Sequence, residues 1–214
     1  MPAPPPTDRT RLRRRPRRGT YDRAVIDAIL DEALICHVGF VERDQPYVVP
    51  TVHARIGSQL YLHGARANRM LTTLAGGAPA CVTATLVDGL VLARSALHHS
   101  MNYRSVMVLG AAREVVGDEK PEALRAIVEH VAPGRWADVR QPTEAELVGT
   151  LVVALPIDEA SAKVRVGPPL DDAADYALPA WAGELPLQLV AGDPVPDPRL
   201  APGTGAPPYL WIQG

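Results

Sequence analysis

Short runs in which apolar and polar residues alternate dominate the chain, and helical spacing appears in only a few places. Alternation is typical of β-strands, and apolar residues that recur every three or four positions are typical of helices. The pattern predicts strands at 35–41, 47–55, 59–63, 80–86, 90–93, 103–116, 151–157 and 160–166. It predicts helices at 20–34 with Thr20 as cap, around 70–74 and from Asp118, and a capping box of Thr143 and Glu146 starts a further short helix.

The connections between these strands are short, which favours antiparallel pairing. Asp88 and Gly89 are residues typical of a hairpin turn, so we expect a hairpin between 80–86 and 90–93. Pro50 interrupts a strand pattern, which indicates a sheet edge, a bulge or a place where another group lies against the backbone. The fold class predicted is mainly β (α+β): six to seven of these eight runs form an antiparallel barrel with peripheral helices.

Three segments differ in composition. Residues 1–19 are rich in proline and arginine, and we expect a disordered or draped arm. Residues 20–166 carry the barrel pattern. Residues 167–214 contain prolines every few positions and predict an extended tail packed over the barrel or over a partner subunit, not a second domain.

Composition narrows the class of protein. The chain has 214 residues, 47% of them hydrophobic, and a net charge of −2. Seven arginines crowd the arm, but no aromatic residue lies among them and the rest of the chain is acidic, which argues against nucleic-acid binding and leaves a partner's acidic surface as another target. No apolar run is long enough for a membrane span and the start has no signal-peptide pattern, so we expect a cytoplasmic protein.

Cys36 and Cys81 lie in apolar strand patterns and are expected to be buried free thiols. No CxxC or HExxH spacing occurs, so we expect no metal site. The glycine fingerprint of a dinucleotide fold, the nucleophile elbow and the kinase signature are also missing.

Residues 61–69 form the most informative stretch for function. A strand ends at His63, Gly64 loosens the backbone, and Asn68 stands near the cap position of a helix, beside Arg66 and Arg69. Unpaired N–H groups and guanidinium forks at a helix start suit a phosphate. The alternative is an ordinary capped surface helix with solvated arginines.

The order of these signals resembles the FMN-binding split barrel of the pyridoxamine 5′-phosphate oxidase-like superfamily, and more closely its flavin-nucleotide-binding branch, which includes nitroimidazole reductases. The residues that carry the resemblance are 45–51, 60–64 with Asn68 and Arg69, 102–108 with Gly110, Glu119 and Lys120, and the later 163–165, 167–168 and 181–183. It spans roughly residues 20–190. The resemblance implies a split barrel, bound FMN and a homodimer with the flavin site between its subunits.

The resemblance also implies roles for individual residues. Val49, Pro50 and Thr51 correspond to the strand beside the flavin ring. Arg69, with Asn68, corresponds to the phosphate ligand, and His63, with Gly64, to a contact with the ribityl chain or ring. Tyr103, Arg104 and Ser105 correspond to a strand that returns to the phosphate and ribityl from across the site, and Trp181 to a ring packed near the flavin.

Structural roles for the same residues stay open. Residues 103–105 suit an ordinary strand with one solvated face, His63 a hydrogen-bonded histidine at a strand end, and Trp181 a plug of the core. His98 and His99 are adjacent, so in an extended segment they point to opposite faces and cannot easily share a metal. His37, His53 and His130 are expected to be structural.

The function expected is that of an FMN-dependent oxidoreductase. A nicotinamide nucleotide (NAD(P)H) or another electron donor would reduce the flavin, which would reduce a nitroaromatic, quinone-like or unknown acceptor, with His63 as a candidate proton donor. The alternatives are a non-catalytic flavin carrier or sensor, and the same barrel binding heme or a deazaflavin. Oxidation of pyridoxamine phosphate itself is not expected, because the chain lacks the C-terminal Arg-x-His ending of those enzymes.

Overall fold

The computed structural model describes residues 7–211; the remainder of the N-terminal arm and of the tail, 1–6 and 212–214, lie outside the described residues. The strands are β1 Gly19–Thr20, β2 Cys36–Glu42, β3 Gln45–Thr51, β4 Ala54–Ile56, β5 Gln59–Ala65, β6 Pro79–Leu92, β7 Ser100–Ala111, β8 Arg113–Glu114, β9 Thr150–Pro156, β10 Glu159–Arg165 and β11 Gly183–Pro186. The helices are α1 Arg23–Glu32, α2 Arg69–Ala75, α3 Glu119–Val131, α4 Arg135–Asp138 and α5 Glu144–Gly149.

Two antiparallel sheets form an incompletely closed barrel. The first sheet has the order β1-β10-β7-β6-β2-β3, with β11 added beside β6, and the second has the order β4-β5-β9-β8. The prediction of a mainly β split barrel with peripheral helices is confirmed. The described chain has more strands than the six or seven predicted, because β1, β4, β8 and β11 are two to four residues long. Such runs are too short to show a period in the sequence.

Apolar side chains fill two layers. The main core lies inside the barrel, where Leu30 of α1, Val38, Leu60 and Val108 are fully buried. A second layer lies between the second sheet and α3, around Val152. Alternation along β5 divides the two layers: its even-numbered leucines face the barrel interior, and Tyr61 faces α3.

Two predicted strands change sheets. The predicted strand 47–55 is interrupted at Val52 and His53, and the chain passes there from β3 to β4. The predicted strand 103–116 begins earlier, at Ser100, and ends at Ala111 before β8 joins the second sheet. A chain that turns the corner between packed sheets must break its ladder, although its hydrophobic pattern continues.

The predicted hairpin over Asp88 and Gly89 is wrong. Residues 79–92 form the single strand β6, with a bulge between Val87 and Gly89. A Cβ on Gly89 would lie 2.9 Å from the carbonyl oxygen of Leu185, so this glycine admits the close approach of β11. It does not make a turn.

The helix starts agree with the predictions in part. Asp22, not Thr20, caps α1, and its carboxylate accepts a hydrogen bond from Ala24 N. The capping box of Thr143 and Glu146 is present at α5. Cys36 and Cys81 are both free thiols, the first buried and the second half-buried.

The described part of the N-terminal arm lies against β10. Arg9 forms an ion pair with Glu159, and Thr10 is buried. Leu12 N donates a hydrogen bond to the Tyr21 hydroxyl at 2.9 Å. No helix in the described chain is both long enough and apolar enough to cross a membrane.

Candidate functional site

Strand β3 ends the first sheet, and it contains three of the predicted flavin contacts. β3 pairs with β2 along one edge, so its other edge presents unpaired backbone groups. Val49 and Thr51 are half-buried on the inner face, and Pro50 is exposed on the outer face. Of the three alternatives predicted for this proline, the structure shows the sheet edge. The free edge can offer backbone donors and acceptors to a planar polar ligand.

The outer face beside β3 carries few charges. Residues directly opposed in a sheet share a face, so the register places Pro50, His37, Thr83 and Met107 in one row across β3, β2, β6 and β7. The next row contains Val48, Gly39, Cys81 and Leu109. Val48 is 68% exposed, and Val41 on the same face is 53% exposed. This uncharged outer face, formed by these two rows, is an uncovered apolar surface of the single chain.

Arg69 lies beside β3 against residues of the inner face of the first sheet, on the other side of the strand from the uncharged outer face. As predicted, Asn68 caps α2, and its side chain accepts a hydrogen bond from Leu71 N at 3.1 Å. The Arg69 guanidinium lies 4.1 Å from the centre of the Tyr47 ring on β3, and its Nε is 3.8 Å from a Glu42 carboxylate oxygen. The side chain remains 56% exposed, so the cation is available to an anion beside β3.

The residues before Asn68 lie on different faces of the second sheet. Gly64 lies over α2, where an added Cβ would be 3.0 Å from Leu71 Cδ1. Arg66 forms an ion pair with Glu114 at 3.0 Å, which occupies its charge. His63 lies on the opposite face, with Tyr61, toward α3. In the single chain, the structure therefore does not bring His63 together with Arg69.

The three predicted flavin contacts on β7 also lie on different faces of their sheet. Tyr103 and Ser105 share the outer face with Met107, and the Ser105 hydroxyl is 3.4 Å from the Lys163 carbonyl oxygen. Arg104 points to the inner face, where it is held by the carboxylates of Glu32 at 2.7 Å and Asp88 at 2.8 Å.

Charge pairing explains the pKa values in this cluster. The hydrogen bonds that Arg104 donates to Glu32 and to Asp88 raise the pKa of Arg104, and the bond to Glu32 lowers the pKa of that carboxyl. The guanidinium is thus neutralised within its own chain. An anion reaching Arg104 would have to displace one of the two carboxylates, and sequence reasoning had no signal for either of these partners.

His98 and His99 lie at a short 3₁₀ helix, Ala96–His98, and not in the extended segment expected. His99 is exposed, and its Nδ1 lies 3.0 Å from the Ser95 carbonyl oxygen. A neutral His99 therefore donates from Nδ1 and leaves the Nε2 lone pair free. His98 Nδ1 lies 3.8 Å from the fully buried carboxylate of Asp171.

A cleft of about 150 Å³ opens at these histidines. Its lining includes Arg15, Arg18, Leu97 and Leu170, and Leu97 is 89% exposed. Among residues 7–211, Arg15 and Arg18 form no ion pair. The cleft thus combines free imidazole and guanidinium groups with exposed leucines.

Asp171 anchors the start of the tail beside this cleft. Burial raises the pKa of its carboxyl, but hydrogen bonds from the guanidinium and backbone N–H of Arg94 lower it by a larger amount. The pKa of Asp171 is therefore below its ordinary value. His98, Asp172 and Asp175 offer ligand atoms within 4.8 Å of one another. Exposed acidic groups often cluster without a metal, so we assign no ion there.

The tail is also held near β7 by a network that sequence reasoning missed. Arg165 donates to the Asn102 side chain and to the carbonyl oxygens of Gly167 and Pro168, and Asn102 donates to Glu184 of β11. The ring of Trp181 lies against Gly183, where an added Cβ would be 2.9 Å from the indole. Trp181 itself is 69% exposed, so it does not plug the core.

Comparison with known proteins identifies the family. The family model for pyridoxamine 5′-phosphate oxidase matches residues 22–164. Among curated protein sequences, none matches the chain. Similar solved structures include the flavocytochrome Anf3 from Azotobacter vinelandii, with a TM-score of 0.91 and 41% identity over 97% of each chain.

Two further structures extend the comparison. The FAD and heme binding protein from Mycobacterium smegmatis has a TM-score of 0.87 and 36% identity, over 91% of this chain and 96% of that one. A candidate 5-nitroimidazole antibiotic resistance protein from Bacteroides thetaiotaomicron has a TM-score of 0.56 and 26% identity, over 68% of this chain and 86% of that one. The chain therefore belongs to the pyridoxamine 5′-phosphate oxidase family, in its flavin-binding split-barrel group.

Proposed function

We propose that this protein is a redox protein that binds a flavin between the two subunits of a homodimer. The observation that carries the proposal is the uncharged outer face, which ends at the unpaired edge of β3. A flavin ring is flat and apolar with one polar edge, so it suits such a surface beside free backbone groups. A second protomer covers the exposed Val41 and Val48 and completes the site.

Arg69 is the residue that we assign to the flavin phosphate. The helix behind it has only seven residues, so its dipole adds little, and the guanidinium supplies most of the attraction. Glu42, at 3.8 Å, is too distant for a strong hydrogen bond and leaves the guanidinium free to rotate toward a ligand. Asn68 holds the start of α2 in place and so fixes where Arg69 emerges.

The sequence alone predicts FMN, but we propose FAD as the resident flavin. The relative from Mycobacterium smegmatis, which aligns over nearly the whole chain, is named for FAD and heme. When bound, the flavin supplies hydride and single-electron transfer, and this chain binds, orients and shields it from water. Free thiols at Cys36 and Cys81 fit a reducing cytoplasmic setting.

Releasing the ligand from purified protein by heat and identifying it by mass spectrometry tests the assignment. We expect one flavin per protomer. FMN in place of FAD would overturn the choice of flavin only, and a protein purified without flavin that cannot be reconstituted would overturn the whole proposal. Stopped-flow reduction by NADH or NADPH, followed by addition of nitroaromatic or quinone acceptors, separates an enzyme from a flavin carrier.

The cleft of about 150 Å³ that opens at His98 and His99 favours heme as a second ligand of the same protein. Relatives at 41% and 36% identity are named as a flavocytochrome and as a FAD and heme binding protein. A heme ligand needs an imidazole whose second nitrogen is fixed by a hydrogen bond, and His99 has that arrangement. Arg15 and Arg18 provide cations for the propionates. A cleft of about 150 Å³ cannot enclose a porphyrin, so the partner subunit would supply the other wall.

Reconstitution with hemin tests this second candidate. We expect a Soret band in the wild-type protein that is lost or strongly shifted in His99→Ala. The matched control is the neighbouring variant His98→Gln, in which the band should persist. An unchanged Soret band in His99→Ala would exclude His99 as the ligand, and no heme uptake by the wild-type protein would exclude the heme site.

A further inference from the structure

A second cleft, of about 300 Å³, lies on the far side of the second sheet from Arg69, between β5 and the helices α3 to α5. This helical cleft is lined mainly by apolar side chains, and it belongs to neither of the sites assigned above. The apolar members of its lining are Leu124, Ile127, Val128, Trp136, Val139 and Pro142. A pocket of this kind, apolar with a few polar groups, is typical of small-molecule sites.

The polar residues in the lining of the helical cleft are His63, Arg140, Glu146 and Thr150, and in the described part of the chain His63 has a buried atom without a partner. Within the described residues its Nδ1 is buried and has no hydrogen-bond partner. A buried N–H left without an acceptor is costlier than an acceptor left without a donor, so the proton belongs on Nε2. Burial also lowers the pKa of His63, which keeps the ring neutral. The imidazole therefore offers one N–H donor to a ligand.

The charges at the rim of the helical cleft cancel. Arg140 donates two hydrogen bonds to the carboxylate of Glu146, at 2.7 and 2.9 Å, and a third to the Gln141 carbonyl oxygen. The cleft therefore presents no net charge to a ligand. It would disfavour ions, which lose hydration without gaining a partner.

We propose that the helical cleft binds a small, flat, uncharged aromatic compound that carries a carbonyl oxygen, and that His63 donates a hydrogen bond to that oxygen. The Trp136 ring and the α3 side chains would contact the ring faces and edges. The volume suits one or two fused rings and excludes larger cofactors. This site does not depend on the flavin proposal, which rests on β3 and Arg69 and does not use the flavin role that the resemblance implies for His63.

Equilibrium dialysis of the purified protein, with its native cofactor content and no electron donor, tests the proposal. The probe is 2,3-dimethyl-1,4-naphthoquinone, whose substituted ring blocks addition of the free thiols. The matched compound without an acceptor is 2,3-dimethylnaphthalene. We expect saturable binding of the quinone, about tenfold tighter than binding of the hydrocarbon, and this preference should disappear in His63→Leu.

Two further variants separate the helical cleft from other apolar surfaces. Val128→Phe narrows the cleft and should weaken quinone binding at least tenfold with His63 intact. Val131 lies on the same helix but outside the lining, and it is 45% exposed, so the control variant Val131→Phe should bind the quinone normally. The proposal is overturned by absence of saturable binding, by binding that survives both His63→Leu and Val128→Phe, or by equal affinity for the two compounds. A wild-type protein that binds the quinone but contains no flavin would count against the flavin proposal alone.

Discussion

Arg69 is the single residue on which the flavin assignment depends most. Arg69→Ala should weaken flavin binding by about one to two decades, because a charge-assisted hydrogen bond contributes roughly 1.5–3 kcal/mol. The measurement is flavin affinity by fluorescence titration of the apoprotein. Arg13→Ala in the N-terminal arm is the control and should leave the affinity unchanged. Equal affinities in the wild type and Arg69→Ala would place the phosphate elsewhere.

At the scale of single residues, the sequence predicts the place of a side chain in a helix or strand better than it predicts which other side chains contact it. The cap at Asn68 follows from its residue type ahead of an apolar helical pattern, and the structure has it there. The pairing of Arg104 with Glu32 and Asp88 joins residues 72 and 16 positions apart. Such contacts depend on how α1 and β6 approach β7. Local pattern therefore cannot distinguish a free arginine from a neutralised one.

At the scale of elements, Gly89 shows why strand boundaries were harder to predict than strand existence. Aspartate followed by glycine is a turn signal, but here Asp88 binds Arg104 and Gly89 makes room for β11. Both reasons come from segments distant in sequence, one on β7 and one in the tail. The period-two pattern of 80–93 predicts the strand correctly, and only its division into two strands is wrong.

Gly89→Ala should therefore loosen the tail. A methyl group placed 2.9 Å from the Leu185 carbonyl oxygen pushes β11 away from β6, and we expect about 1–3 kcal/mol of destabilisation. Hydrogen exchange of the β11 amides, compared with those of β2, measures the effect. The control is Gly192→Ala, where an added Cβ meets nothing within 4 Å. Unchanged exchange in β11 would show that the tail accommodates the methyl group.

At the scale of the whole molecule, a buried histidine couples stability to pH. Burial lowers the pKa of His53 to about 4, and its ring lies 4.9 Å from that of His130. Between pH 6.5 and 4 the unfolded chain binds a proton that the folded chain does not, so stability falls as the pH falls. The loss is roughly 3 kcal/mol and is complete near pH 4.

Denaturant unfolding at several pH values and fixed protein concentration measures this dependence. Between pH 6.5 and 4, the free energy of unfolding should depend less steeply on pH in His53→Gln than in the wild type, by an amount that corresponds to about one proton. A variant with the slope of the wild type would show that other groups carry the acid sensitivity.

The assembly gives the final whole-molecule prediction, because the proposed flavin site requires two barrels to meet at the uncharged outer face. Val48→Asp places a carboxylate on that face at its β3 edge, where a partner would bury it without a countercharge. We expect a dimer in the wild type, and in the variant a monomer that loses its flavin, as measured by light scattering and absorbance. Val116→Asp is the matched control: its wild-type side chain is also 68% exposed but lies outside the face, so the dimer and its flavin should remain. If Val48→Asp stays dimeric with full flavin content, the subunits meet through another surface, and the flavin must be bound away from the outer face.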